Sequence, residues 1–265
     1  MSDQDLIARM RSLALQAGQE IMKLFATDDL AISQKPDASP VTRADHVAND
    51  IISSGLRQAF PDIPIISEEQ SNFSKLDSDR FILIDPIDGT RSFINKEIDF
   101  TVNIALIESA QPMHGLIYAP AHNRLFYTTT SGTAVEEGGD FLRDASGPTY
   151  LLSGRKKAAS ELTVLASRSS NKNLTEQMLN KLNKSDCKFI GSSLKFCLIA
   201  AGEADLYPRL GTTMQWDTAA GHAILTAAGG QVVRYDDRRP LRYNPNHLHN
   251  PWFIALGANV AVPEV

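Results

Sequence analysis

The chain has 265 residues, of which 43% are hydrophobic, and its formal net charge at pH 7 is −5. A chain of this length and composition can bury a large core without being divided into independent domains. The acidic balance argues against general nucleic-acid binding, which requires a basic surface, but it allows a small anionic substrate held through bound cations. No apolar stretch is long enough to span a bilayer, and we expect neither a signal peptide nor a disulfide framework. These features are typical of a cytoplasmic protein.

Hydrophobic periodicity predicts two successive patterns of helices and strands. The first pattern has helices over 3–25 and about 45–60, followed by strands over 63–66, 81–84, 100–108, 115–119 and 125–129. Turn signals separate the last three of these strands, so we expect them to pair antiparallel. After a polar, glycine-containing stretch over 136–147, strands and helices alternate as in an α/β unit, over 162–166, 174–182, 188–190, 193–201 and 204–207. We therefore expect two halves, 1–145 and 146–265, that pack into one compact unit.

The segment from Asp85 to Thr90 reads Asp-Pro-Ile-Asp-Gly-Thr and directly follows the apolar run 81–84. A buried strand therefore delivers the carboxylates of Asp85 and Asp88 into a turn, where they suit a hard divalent cation that prefers oxygen ligands. Gly89 lets backbone N–H groups approach an anion closely, and a helix that begins there would add the attraction of its dipole. This combination is what metal-assisted phosphate chemistry requires. Taken alone, the same residues also fit an ordinary turn after a strand.

Further acidic residues occupy comparable places along the chain. Asp45 lies at the start of the second predicted helix, Glu68 follows the strand 63–66, and Asp217 precedes a small-residue helix in Trp-Asp-Thr-Ala-Ala-Gly. Each also has an ordinary explanation, because Asp217 could be an N-cap, Glu68 a solvated loop residue and Asp45 a partner of the helix dipole. Glu69, beside Glu68, is expected to be solvated rather than a ligand.

In this order and spacing, these residues resemble the inositol monophosphatase superfamily of phosphomonoesterases. The resemblance rests on Asp-Pro-Ile-Asp-Gly-Thr followed by Ser92 and Phe93, and on Trp-Asp-Thr-Ala-Ala-Gly, and it extends from Pro40 to Phe253. It implies an α/β fold of the α+β type, a layered α-β-α-β-α sandwich like that of inositol monophosphatases and fructose-1,6-bisphosphatases. It also implies a Mg²⁺-dependent, lithium-sensitive phosphatase with its active site where the two halves meet.

The same resemblance implies a role for each acidic residue in the attack of an activated water on a phosphomonoester. Two or three Mg²⁺ ions are expected per active site, with these ligands: Glu68, Asp85, the carbonyl of Ile87, Asp88 and Asp217. Asp85 would bridge two ions. Asp45, Thr90 and Glu68 carry the catalytic roles, in which Thr90 and Asp45 orient and polarise the water. The N–H groups of Gly89 and Thr90 would bind the phosphate.

Two segments narrow the resemblance to 3'(2'),5'-bisphosphate nucleotidases of the CysQ type. Gly-Ser-Ser-Leu-Lys at 191–195 and Ala-Asp-Leu-Tyr-Pro-Arg at 204–209 contain Ser192, Lys195 and Arg209. Lys195 and Arg209 are suited to a second phosphate, although they also fit a solvated helix face and strand. The implied substrate contacts are Glu68, Ile87, Asp88, Gly89, Thr90, Ser192, Lys195, Arg209 and Asp217. The implied reaction is hydrolysis of adenosine 3',5'-bisphosphate (PAP) to AMP and phosphate, linked to sulfate assimilation and PAP recycling.

Two other functions stay open at this point. One is an inositol monophosphatase that uses the same metals, and the other is a non-catalytic phosphate-binding regulator, which would be expected to lack a carboxylate or Thr90. The resemblance leaves monomer or homodimer undecided and allows a peripheral location on the cytoplasmic side of the inner membrane. Ser170 follows Ser-Arg-Ser at 167–169, where many relatives have a histidine that contacts the nucleotide. Recognition of the base is therefore expected to be looser.

Overall fold

The chain begins with a helix, a short hairpin and a second helix, and a capping box starts each helix. The structure, a computed structural model, describes residues 2–27, 30–35, 39–70, 75–143, 145–155, 161–167, 172–181 and 184–261. α1 is Asp3–Phe25 and α2 is Arg43–Ala59, while β1 (Ser33–Gln34) and β2 (Pro40–Val41) form the antiparallel hairpin. At the start of α2, the side chains and N–H groups of Thr42 and Asp45 bond reciprocally, which satisfies otherwise orphaned donors. Asp45 is thereby fixed at the N-terminus of α2.

Among the described residues, the first sheet has seven strands that neighbour one another in chain order. They are β3 (Ile65–Ser67), β4 (Arg80–Asp88), β5 (Thr101–Glu108), β6 (Gln111–Ala119), β7 (Arg124–Thr128), β8 (Ala134–Asp140) and β9 (Ala145–Leu152). The β3–β4 pair is parallel and the later pairs are antiparallel, as expected for the strands after residue 100. The short α3 (Thr90–Ile94) lies between β4 and β5.

The second sheet, counted over the described part of the chain, has five strands in the order β11-β10-β12-β14-β13. These strands are β10 (Leu162–Ala166), β11 (Lys184–Phe189), β12 (Leu206–Arg209), β13 (Gln231–Arg234) and β14 (Phe253–Leu256). The accompanying helices are α4 (Lys172–Lys181), α5 (Leu194–Ala200) and α6 (Ala219–Ala227). Short 3₁₀ turns cover Pro120–His122, Phe141–Arg143 and Gln215–Asp217.

Alternation along the strands divides the apolar residues into layers. Ile82 and Ile84 of β4 pack with α1 and α2, whereas Phe81 and Leu83 pack with α5, α6 and the inner face of the second sheet. The outer face of the second sheet packs against Met178 and its neighbours on α4. The order is therefore α1/α2, first sheet, α5/α6, second sheet, α4, and the predicted α-β-α-β-α sandwich is confirmed. Within the residues described, no helix is long and apolar enough to cross a membrane.

Two local expectations were wrong. Asp85 to Asp88 are not a turn: β4 continues through Asp88, with an irregular register between them, and α3 follows at once. The polar stretch 136–147 was expected to follow the last strand of the first pattern, but β8 and β9 pair across it and extend the first sheet past residue 145 to Leu152. Residues 146–151 of β9 are exposed, so this edge strand lacks the apolar alternation that would have predicted it. The division into functional halves stays a prediction.

Candidate active site

The carboxylates of the first half meet at the ends of neighbouring parallel strands. β3 and β4 run side by side, and the Glu68 N–H, just past β3, donates to the carbonyl of Ile84 on β4 at 3.1 Å. Asp85 and Asp88 follow on β4 itself. Asp217 arrives from the other half, at the end of the 3₁₀ turn that leads into α6. The topology therefore brings acidic residues that are far apart in the sequence to one edge of the first sheet.

These carboxylates are buried close enough to affect one another's charge. Burial raises the pKa of Asp85 well above its ordinary value, and the charges of Glu68, Asp88 and Asp217 raise it further. Burial and the Asp88 charge likewise raise the pKa of Asp217. Burial raises the pKa of Asp88 to about 6, although the Lys195 ammonium acts in the opposite direction. A bound cation would remove this electrostatic cost, which makes the donor set chemically suited to a metal ion.

Two of these carboxylates accept hydrogen bonds from backbone N–H groups nearby in the chain. Asp85 Oδ1 accepts from the Ile87 N–H at 3.1 Å, and Asp217 Oδ2 accepts from the Met214 N–H at 2.9 Å. Across the described ranges, no three Asp, Glu, His or Cys side chains form a group that could hold a metal ion.

Lys35, just beyond β1, is a contact that the sequence did not predict. Its Nζ lies 2.6 Å from a carboxylate oxygen of Glu68 and 2.6 Å from one of Glu69. Burial lowers the pKa of Lys35, but these two carboxylates outweigh it and the net shift is upward. The expectation of a solvated Glu69 was wrong, because its side chain is 4% exposed and pairs with Lys35. No local motif signals this ion pair, which depends on how the β1–β2 hairpin packs.

Thr90 and Asp45 form a hydrogen-bonded pair. Thr90 Oγ1 lies 3.0 Å from Asp45 Oδ1 and 3.2 Å from the carbonyl of Ile87. The other oxygen, Asp45 Oδ2, accepts from both the N–H and the hydroxyl of Thr42 at 2.7 Å. Burial raises the pKa of Asp45, while the bonds from Thr42 and Thr90 lower it. The bonds from Thr42 thus hold Asp45 in one orientation, and Oδ1 is placed to accept a hydrogen bond from the Thr90 hydroxyl.

The basic side of the site comes from the second half. Lys195, on α5, is 2% exposed, and its Nζ donates to the carbonyls of Ile190 (3.1 Å) and Ser192. Burial lowers the pKa of Lys195 to about 8, although the Asp88 carboxylate raises it. Arg209, at the end of β12, is 7% exposed and donates to the Thr212 carbonyl at 2.9 Å. Neither side chain is on a solvated surface, so the alternative of a solvated helix face and strand was wrong.

A cleft of about 640 Å³ is lined by residues from 39–97 and from 167–253. The predicted site residues that line it are Glu68, Asp88, Gly89, Thr90, Ser192, Lys195, Arg209 and Asp217. The remaining predicted residues, Asp45, Asp85 and Ile87, are each 1% exposed and lie beneath its surface. Asn103 on β5 and Ser193 also reach the site, since both lower the pKa of Asp88, and sequence reasoning missed them. The polar Asn103 within an apolar strand was the available signal.

A sequence model of the inositol monophosphatase family matches residues 2–258. The chain belongs to this family. Its curated relatives include the 3'(2'),5'-bisphosphate nucleotidase CysQ of Shigella flexneri, which is 40% identical over 257 residues that cover 94% of this chain and 98% of the relative. The choice of bisphosphate nucleotidases within the family is therefore supported by sequence as well as by the cleft.

Solved structures of the inositol monophosphatase family share the fold. The crystal structure of CysQ from Bacteroides thetaiotaomicron is 33% identical, with a TM-score of 0.80 over 97% of this chain and 98% of that one. An inositol monophosphatase from Zymomonas mobilis is 28% identical, with a TM-score of 0.76 over 98% and 95%. The predicted family and fold are confirmed. The expectation about Ser170 lies outside the described residues, which end at 167 and resume at 172.

Proposed function

We propose that this protein is a 3'(2'),5'-bisphosphate nucleotidase that hydrolyses PAP to AMP and phosphate, as part of PAP recycling linked to sulfate assimilation. The observation that carries the proposal is a single cleft that joins half-buried carboxylates to two buried cationic side chains, Lys195 and Arg209. Hydrolysis of a substrate with one phosphate requires only the carboxylates and the metal ions that they would bind. A second, unreacted phosphate would bind to the two cationic side chains, and the relatives named CysQ match over nearly the whole chain.

Magnesium is the metal that the donors suit best. The proposed ligands are oxygen atoms throughout, with Glu68, Asp85 and the Ile87 carbonyl for one ion and Asp85, Asp88 and Asp217 for a second. Mg²⁺ keeps several waters and needs few carboxylates per ion, which agrees with this sparse set. When bound, the ions would supply positive charge that acidifies water and neutralises the leaving oxygen. Sensitivity to Li⁺ follows for the second site, because a singly charged ion of similar size would bind there without the same charge.

The protein's own groups would orient the nucleophile. Asp45 is fixed by two hydrogen bonds from Thr42 to Oδ2, so its other oxygen, Oδ1, can accept a hydrogen bond from the Thr90 hydroxyl. Thr90 Oγ1 then has a lone pair available to accept a hydrogen bond from a water molecule. In this arrangement Asp45 acts through Thr90, and Thr90 sets where the water lies relative to the phosphate. The N–H groups at Gly89 and Thr90 would bind the oxygens of the reacting phosphate.

The two cationic side chains would bind the phosphate that is not hydrolysed. Arg209 can bind phosphate oxygens in a bidentate fashion, whereas the Lys195 ammonium acts as a point charge. Both are buried, so their attraction for an anion is weakly screened by solvent. Binding energy from this remote group would position the scissile phosphate. The substrate of an inositol monophosphatase has no second phosphate for this pair to bind. Because the chain is similar to the Zymomonas mobilis enzyme, inositol monophosphatase activity should be measured in the same experiment.

The deciding experiment is phosphate release in Mg²⁺ from PAP, inositol 1-phosphate and fructose 1,6-bisphosphate in parallel. We expect kcat/KM for PAP to exceed the other two by at least tenfold. A preference for inositol 1-phosphate would replace the proposal with the inositol monophosphatase function. Absence of phosphate release from all three, with the carboxylates intact, would favour a non-catalytic phosphate-binding role.

A further inference from the structure

Two turns that line the cleft, one from each half, pack against the same residue. A Cβ added at Gly89 would lie 2.7 Å from the carbonyl oxygen of Asp99, and one added at Gly191 would lie 2.7 Å from the Asp99 Cβ. Both glycines line the cleft, and Asp99 lies beneath them, two residues before β5 begins. The separation of the two turns is therefore set by Asp99, with no room for another side-chain atom between.

The Asp99 carboxylate joins the turn of the second half to the first half. Its Oδ2 accepts the Gly191 N–H at 3.0 Å, and its Oδ1 lies 3.1 Å from His122 Nε2. His122 ends the 3₁₀ turn that connects β6 and β7 of the first sheet. The Asp99 side chain is 12% exposed, and bonds to a shielded carboxylate are stronger than those between neutral groups. A carboxylate engaged at both oxygens fixes the position of Gly191.

Lys195 also holds the turn that contains Gly191. The Lys195 ammonium donates to the carbonyls of Ile190 and Ser192, on either side of Gly191. Ser192 has φ 51°, in the left-handed region that non-glycine residues seldom adopt and that surrounding contacts must maintain. The ammonium and the turn therefore move together. Any change in how Asp99 holds Gly191 changes where the ammonium of Lys195 lies in the cleft.

We propose that Asp99, supported by His122, is a positioning residue. It fixes the distance between the Asp88–Thr90 segment and the Lys195 ammonium, so that this distance matches a substrate with two phosphates. The inference rests on the bisphosphate nucleotidase function proposed above. A substrate with one phosphate uses the acidic side of the cleft and does not depend on that distance. Asp99 therefore contributes to specificity without touching the substrate.

The test compares PAP with adenosine 3'-monophosphate, which has the scissile phosphate but lacks the second one. In Asp99→Ala we expect the KM for PAP to rise at least tenfold, with kcat within threefold of wild type. The kcat/KM for adenosine 3'-monophosphate should change less than threefold. His122→Ala should act in the same direction but more weakly, and His122→Gln should restore the KM, because its amide can donate in place of Nε2. Asp186→Ala, which removes an exposed carboxylate on β11, is the control.

Three results would overturn the inference. The first is an equal loss on both substrates, which indicates a purely structural role. The second is a KM for PAP within twofold of wild type in both Asp99→Ala and His122→Ala. If Asp99→Ala does not fold, as judged by circular dichroism, the two His122 variants decide alone. The third is a wild-type protein that does not prefer PAP over adenosine 3'-monophosphate, which would overturn the proposed function and this inference with it, before any variant is measured.

Discussion

The acidic and basic sides of the cleft are built differently. Glu68, Asp85 and Asp88 lie at the ends of adjacent strands, and burial among like charges raises the pKa of Asp85 and Asp88. Lys195 lies on a short helix under a strained turn, and burial lowers its pKa to about 8. On each side, burial of the charged groups therefore costs free energy that an ion of opposite sign would reduce by binding. Bound metal ions would relieve the cost on the acidic side, and the second phosphate of a bisphosphate substrate would relieve the cost on the basic side. A simple phosphomonoester would leave the cost on the basic side in place.

Removing the central carboxylate of the acidic side should have the largest effect. Asp85→Asn removes the charge that interacts with Glu68, Asp88 and Asp217 and that we propose to bridge two cations. Phosphatase activity should fall by about a thousandfold or more on every substrate, given the barrier reduction that metal catalysis supplies. Steady-state phosphate release in excess Mg²⁺ measures this, and activity within tenfold of wild type would remove Asp85 from the mechanism.

A stability measurement is the matched control for this variant. A carboxyl whose pKa is raised in the folded state binds its proton more tightly there than in the unfolded chain, so the folded state loses stability as the pH rises above the ordinary pKa of the carboxyl. Replacing Asp85 with neutral Asn should therefore leave the Tm of the metal-free protein at pH 7 unchanged or higher. A lower Tm together with the lost activity would instead indicate damage to the fold.

Truncating the basic side should separate the two substrate classes. Lys195→Ala combined with Arg209→Ala should raise the activation free energy for PAP hydrolysis by roughly 3–6 kcal/mol, since hydrogen bonds to charged groups contribute about 1.5–3 kcal/mol each. The kcat/KM for PAP should therefore fall by more than about a hundredfold. Hydrolysis of adenosine 3'-monophosphate should change far less, because the acidic side is intact. Equal losses on the two substrates would mean that Lys195 and Arg209 are structural, as the bonds from Lys195 to two carbonyls would permit.

The sequence predicted the acidic side better than the basic side, and there is a physical reason. Asp85 and Asp88 follow an apolar strand within one short motif, so local pattern alone places them together. The burial of Lys195 and the pairing of Lys35 with Glu68 arise from packing between segments distant in the chain, such as the 33 positions that separate Lys35 from Glu68. Periodicity carries no information about such contacts.

The same distinction holds for the fold. Strong helical periodicity predicted 3–25, which is α1, and a short, mostly apolar run predicted 162–166, which is β10. The edge strand β9 was missed because its exposed residues have no core to face, and only pairing with β8 makes them a strand. Interior elements can therefore be predicted from the sequence, whereas the formation of an edge strand depends on pairing with its neighbouring strand.

Lithium should test the second proposed ion site on the acidic side. Li⁺ is close to Mg²⁺ in size but has one positive charge, so it would bind to Asp88 and Asp217 without relieving their repulsion fully. We expect Li⁺ at millimolar concentration to reduce PAP hydrolysis by at least half in saturating Mg²⁺, while the same concentration of Na⁺ has no effect. Matching responses to Li⁺ and Na⁺ would point to ionic strength rather than to occupation of a site.

The smallest expected effect concerns Lys35, the positive charge on the acidic side. Its ammonium lies 2.6 Å from a Glu68 oxygen, so a cation that binds to Glu68 must compete with it or lie beside it. Lys35→Gln should lower the Mg²⁺ concentration for half-maximal activity by up to about fivefold, since partly exposed ion pairs contribute about 0.2–1 kcal/mol. Lys23→Gln is the matched control, because it removes a lysine that also lies 2.6 Å from a glutamate, on the exposed face of α1. A Mg²⁺ requirement that stays constant or rises in Lys35→Gln would show that Lys35 supports the acidic side instead of competing for it.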